Sequence, residues 1–172
     1  AEHLIALGHR DIGFIKGPDN SKSAAERHDA FRDALEQNGV HLGANQIVFG
    51  ANTFQSGVDC AVQLLKSDNP PTAIFASNDE MAIGVMVTAQ KMGIDIPSEL
   101  TIIGFDDTPQ ASKVWPALTT VNLKVKEMGK LATLKLLALC NNNIGLAKTI
   151  KSELVPTLVR RETTAPPPIL RG

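Results

Sequence analysis

Four short runs of this chain are apolar at almost every position rather than at every second one: Ile12-Gly13-Phe14-Ile15, Ile47-Val48-Phe49, Ala73-Ile74-Phe75-Ala76 and residues 100–105. A strand with one wet face alternates, so strands apolar throughout must be covered on both sides. Between the runs lie stretches of helical period. Residues 21–38 carry Ala24, Ala25, Phe31, Ala34 and Leu35 at helical spacing, with Arg27, Arg32, Asp33 and Glu36 on other faces and Gly39 as the stop. Residues 56–66 and 79–92 read as further helices, while Asn69-Pro70-Pro71 and Asp95-Ile96-Pro97-Ser98 read as connectors. Strand and helix alternating in this way predict an α/β fold, a three-layer parallel sheet with helices on both faces.

Beyond Pro116 the pattern changes. A strand over residues 118–123 leads into a helix over 126–140, in which Leu131, Leu134, Leu136, Leu137 and Leu139 occupy nearly every face and so require cover on more than one side. The polar Asn141-Asn142-Asn143 turn follows, then extended segments at 150–154 and 157–159, and a proline-rich end that begins at Thr163 and is not expected to pack regularly.

Charge excludes some partners. Lys plus Arg number 17 against 18 Asp plus Glu, a net charge of −1, which leaves no basic footprint for nucleic acid and no polybasic patch for a membrane. Cys60 and Cys140 lie within apolar helical patterns and read as reduced core thiols of a cytoplasmic protein. No signal peptide or long apolar span is evident. The chain opens on Ala1 in a segment that reads as a helix already under way, the expectation being that it starts inside a larger protein.

The polar residues that follow each predicted strand carry the functional argument. They are Ser21, Ser23 and Arg27 after the first strand, Gly50, Asn52 and Phe54 after the second, Asn78 and Asp79 after the third, and Asp106, Asp107 and Thr108 after the fourth. In a parallel sheet these carboxyl ends share one edge, where ligand clefts of open α/β folds form. The side chains suit a polyol: Arg27 offers a forked pair of donors, Asp106 accepts from adjacent hydroxyls, Asn78 does both, and Phe54 offers an apolar platform. Plainer uses exist for each. Ser21, Ser23, Asn78 and Asp79 suit helix caps, Arg27 a solvated helix charge, and Asp106-Asp107-Thr108-Pro109 a turn.

Catalysis and cofactors find no support. Paired Asp106 and Asp107 suggest a magnesium-dependent hydrolase, but consecutive extended residues point to opposite sides and no nucleophile motif accompanies them. His3, His9, His28 and His41 have no metal-ligand spacing, and Gly13, Gly17 and Gly50 make no phosphate loop. No catalytic residue, metal or cofactor is assigned.

Several motifs in order resemble the lactose-repressor and galactose-repressor (LacI/GalR) family: Gly8-His9-Arg10-Asp11-Ile12-Gly13-Phe14-Ile15, Pro71-Thr72-Ala73-Ile74-Phe75-Ala76-Ser77-Asn78-Asp79, Ile103-Gly104-Phe105-Asp106-Asp107, Pro116-Ala117-Leu118-Thr119-Thr120-Val121 and Leu158-Val159-Arg160-Arg161. The resemblance implies a periplasmic-binding-protein-like (type I) fold of two subdomains with a sugar or sugar derivative between them. Residues 1–121 and 151–163 would form the C-terminal subdomain and 122–150 a piece of the N-terminal one, with 164–172 a tail. It also implies a homodimer, and operator DNA bound only by a headpiece outside these residues. Effector contacts carry over to Ser21, Ser23, Arg27, Asn78 and Asp106. At the position where the family commonly has an aromatic residue stands Asn52, with Phe54 two residues on, and where a glutamine often follows the Leu-Thr-Thr motif stands Leu123. The alternative within the same fold is an exported sugar-binding protein of a transport system.

Overall fold

The computed structural model describes residues 1–150 and 153–168; part of the extended segment expected at 150–154 and the last four residues of the proline-rich end lie outside the described residues. Four parallel strands, β1 (Ile12–Lys16), β2 (Ile47–Phe49), β3 (Ala73–Ala76) and β4 (Thr101–Ile103), form one sheet in the order β2-β1-β3-β4. One face is covered by α1 (Glu2–Leu7) and α2 (Lys22–Gln37), the other by α3 (Phe54–Leu65) and α4 (Asp79–Lys91). Strand periodicity divides the core accordingly. Ile12, Phe14, Ala73, Phe75 and Ile103 pack with Leu4, Phe31 and Leu35, whereas Ile15, Ile74, Ala76 and Ile102 pack with Leu64, Met81 and Val85.

The second face is closed by backbone contact. A Cβ at Gly57 would lie 2.3 Å from the carbonyl oxygen of Met81, and one at Gly84 would lie 2.4 Å from that of Phe54. Helices α3 and α4 therefore touch main chain to main chain, which any side chain at these positions would prevent.

β4 ends earlier than residues 100–105 suggested, because Gly104 and Asp106 turn to a new neighbour. Their amides donate to Thr119 O and Val121 O, each at 2.9 Å. The strand expected over 118–123 is divided for the same reason: Thr119 bridges to Ile103, while β5 (Thr120–Asn122) pairs antiparallel with β6 (Thr157–Val159). The start of the proline-rich end is as irregular as expected but firmly anchored. It has no regular structure, yet Thr163 is fully buried, Ile102 N donates to Thr163 O at 2.8 Å, and Ala165 is bonded to Thr101 Oγ1 and His9. Proline removes donors but leaves carbonyls free to be used.

The leucine-rich helix is α5 (Val125–Cys140), followed by α6 (Ile144–Thr149), where the sequence predicted no element. Asn143 begins α6 by accepting from Leu146 N at 3.1 Å. Ala138 and Ala147 are the buried residues of this pair, while Leu136, Leu137 and Ile144 are more than half exposed. Cys140 is exposed too, contrary to its reading as a core thiol, whereas Cys60 is buried and its thiol is pushed up to about 11 by burial and the nearby Asp59 charge.

Candidate functional site

The carboxyl edge of the sheet gathers the four predicted loops, and hydrogen bonds lock them together. Ser21 begins α2, its Oγ accepting from Ala24 N at 3.3 Å and lying 3.1 Å from Ser23 Oγ. One turn on, Arg27 reaches across the sheet: Nη1 donates to Ser77 O at 3.0 Å and the guanidinium carbon sits 3.7 Å from the centre of the Phe105 ring. Its Nε is buried without a partner, as is the Ser77 hydroxyl beside it. A guanidinium held over an aromatic face by a backbone carbonyl is fixed in place, with its charge only partly met by protein groups.

Asp106 faces the same guanidinium charge. Burial and the Asp79 charge push its carboxyl above the usual range and Arg27 pulls it back, while burial draws the Arg27 guanidinium down. Its backbone φ is 114° and that of Asp107 is 53°, so the two do not sit on an extended strand as expected. Their carboxylates nonetheless diverge: Asp106 is coupled to Arg27, while Asp107 accepts from Arg161 Nη2 at 2.5 Å and from Asn122 Nδ2 at 2.6 Å.

The other expected residues have different duties. Asn78 is spent on structure, accepting from Met81 N at 2.9 Å as the cap of α4 and donating to Asn52 O at 3.0 Å. Asn52 has φ 60° and its side chain lies over Gly17, where a Cβ would come 2.9 Å from its Oδ1. Phe54 opens α3, with its carbonyl in the α3–α4 contact and its side chain 38 % exposed. The set does not line a single cavity. A pocket of about 630 Å³ is bordered by Ser23, Arg27, Phe31, Phe75, Phe105 and Val121, and a second of about 570 Å³ by Asp106, Asp107, Thr108, Ser112, Asn122 and Arg161.

Two residues of this edge went unnoticed, and a third, Asp79, was named only among the polar residues that follow the third strand. Phe105 read as the end of a core strand, and Ser77 as part of the approach to Asn78. Asp79, read as a cap, is buried and accepts from Thr108 N at 2.7 Å, from Thr108 Oγ1 at 3.0 Å and from Thr120 Oγ1. Burial pushes the Asp79 carboxyl up and these donors pull it down. It thus anchors the far side of the loop that carries Asp106. The available signal was a carboxylate directly after a helix cap, facing a threonine-rich strand start. No cluster of three or more His, Cys, Asp or Glu suited to a metal ion occurs among the described residues, and none of their helices is long and apolar enough to cross a membrane.

A family model described as a periplasmic binding protein-like domain matches residues 1–164. The probable HTH-type transcriptional repressor ExuR of Bacillus subtilis is 36 % identical over 166 residues, which are 95 % of this chain and 50 % of that protein. The chain belongs to the periplasmic binding protein-like domain of LacI-family regulators. The HTH-type transcriptional repressor PurR of Proteus mirabilis is 34 % identical over 98 % of the chain and 49 % of its own length. The chain therefore spans about half the length of these relatives. Among solved structures, the dimeric Lac repressor with an 11-residue C-terminal deletion superposes with a TM-score of 0.88 at 32 % identity, over 96 % of this chain and 59 % of that one. The Escherichia coli repressor ascG gives 0.85 at 32 %, over 95 % and 58 %. These relatives and structural neighbours are transcriptional regulators, which favours the repressor reading over the transport alternative.

Proposed function

We propose that this chain is the greater part of the effector-sensing half of a transcriptional repressor, that its effector is a sugar or sugar derivative, and that it works in the cytoplasm without catalysis. The observation that carries this reading is the unspent hydrogen-bonding capacity at one sheet edge: Arg27 Nε and Ser77 Oγ, buried without partners, next to the Asp106 carboxyl. A ligand hydroxyl between Arg27 and Asp106 would donate to the carboxylate and accept from the guanidinium, using both charges at once. Ser21, Ser23, Asn52, Phe54 and Asn78 would shape the surroundings, with Asn52 and Asn78 acting through their mutual bond.

Residues 1–121 and 153–163 then form one subdomain, and 122–150 belong to the second wall of the cleft. Pairing of two chains is assigned to the outer faces of α3 and α4, where Val62, Ile83 and Val87 keep apolar surface towards solvent. Operator contact is assigned to residues outside this chain, since a net charge of −1 cannot supply the phosphate term of DNA binding. The test is thermal unfolding of the whole protein against monosaccharides, disaccharides and sugar phosphates. A cognate sugar at about one hundred times its Kd should stabilise the fold by about 2.7 kcal/mol. No shift with any member at millimolar concentration would overturn the sugar assignment.

A further inference from the structure

Asp106 and Asp107 are neighbours in the chain but belong to two different networks, and the second has no part in the ligand reading above. Asp107 Oδ1 accepts from Arg161 Nη2 at 2.5 Å, and Oδ2 accepts from Asn122 Nδ2 at 2.6 Å. Asn122 ends β5, and its Oδ1 takes the amide of Lys124 at 2.6 Å where the chain turns into α5. Arg161 follows β6, the strand by which the chain returns from α6. It holds the sheet edge again, its Nη1 donating to Leu118 O at 2.7 Å and its amide to Thr119 Oγ1 at 2.9 Å. One carboxylate therefore grips both chain crossings that join the sheet to α5 and α6.

Backbone conformation marks the same places. Asp106, Asp107 and Lys124 have φ of 114°, 53° and 55°, three of the five non-glycine residues with positive φ among the described residues. Side-chain-bearing residues persist there only where the surroundings over-determine them. Here the determinants are Asp79 bonding to Thr108 on one side of the loop and the Arg161–Asp107–Asn122 set on the other. By contrast, Ala138 and Ala147, the buried residues of α5 and α6, belong to neither core of the sheet. The crossings carry the connection.

We propose that Asp107, through Arg161 and Asn122, couples the loop bearing Asp106 to both crossings, so that loosening any one of the three loosens the others. The lock stands whether or not Asp106 is a ligand contact. It is testable without ligand, by hydrogen–deuterium exchange on the protein and on its Asp107→Asn and Arg161→Gln variants. Asn tolerates positive φ, so Asp107→Asn removes the charge while keeping the backbone. A lock makes the effects reciprocal. Asp107→Asn should speed exchange at the Lys124 and Arg161 amides by about threefold or more, and Arg161→Gln should do the same at Asp106 and Thr108, with α3 and α4 unchanged. Asn122→Ala, which leaves the ion pair in place, should loosen Lys124 and the Asp106 loop together even if Arg161→Gln fails to fold. Changes confined to the segment carrying each substitution would overturn the lock, making the ion pair a local staple. Failure of sugar binding with reciprocal exchange intact would overturn the ligand reading alone.

Discussion

Helices α3 and α4 form one pair and α5 and α6 another, both rich in small and aliphatic residues, yet their environments are opposite. In the first, Gly57 and Gly84 let main chains meet, and Cys60, Ala61, Leu64, Ala82, Val85 and Ala89 are buried. In the second, Ala138 and Ala147 are buried while Leu134, Leu136, Leu137 and Leu139 remain 44–61 % exposed. The difference teaches that leucine content does not place a helix. Small residues at the positions where backbones approach, with a sheet beneath, decide it.

The comparison breaks most easily at Gly84. Gly84→Val must drive a side chain into the carbonyl of Phe54, so urea unfolding should show a loss of about 3 kcal/mol or more. A loss below about 1 kcal/mol would mean that the helices can separate freely and that the close contact is not what stabilises this face.

A smaller, pH-dependent effect lies on the opposite side of the core. His9 is buried, with Nδ1 2.9 Å from Thr72 Oγ1 and Nε2 2.9 Å from Ala165 O, which ties the final described segment to the amino edge of the sheet. Burial holds its pKa below 6.5, with the Ala165 bond opposing. Unfolded chains then bind more protons than folded ones just below pH 6.5, so the contribution of His9 is complete above that pH and is lost as pH falls through the folded value. Asp79 and Asp106, raised in the fold, act in the opposite sense at lower pH, so the decisive quantity is a difference. Stability of the parent should fall relative to His9→Gln between about pH 7 and 5. Parallel curves would show that His9 does not titrate differently on folding.

The smallest effect is expected on α5. Leu136→Lys should change folding stability by no more than about 0.5 kcal/mol. The same substitution should reduce self-association of this chain in sedimentation, because it interrupts an exposed apolar patch. A loss of several kcal/mol would mean that Leu136 is covered in solution and that the two helix pairs are less different than they look.

Much of the first pair could be read from the chain, since uniformly apolar strands such as Ala73-Ile74-Phe75-Ala76 leave one way to bury both faces. The sheet order could not. It depends on which strand follows which across the layers, and no local pattern encodes that. At the candidate site, Arg27 and Asp106 were visible because they follow different strands of one parallel sheet, whose carboxyl ends share an edge, and because they match the effector contacts that the family resemblance implies. Asn78 was visible as a residue, but its double commitment to Met81 and Asn52 needed the loops to be assembled. Phe105 was hidden because a phenylalanine after an isoleucine-rich strand looks like core until a guanidinium is found over its ring. Helix α6 was missed because Asn141-Asn142-Asn143 reads as an ending, while Asn143 is also a cap and thus a beginning.

We assign the grip on the sugar to Arg27 and Asp106. Isothermal titration of the whole protein with the sugar that stabilises it is repeated on Arg27→Ala and on Asp106→Asn, which removes the charge and tolerates the positive φ of that position. Each variant should fold normally and lose about 2–3 kcal/mol of binding, since each removes a charge-assisted hydrogen bond in a site shielded from water. Affinity unchanged in both variants would place the effector elsewhere.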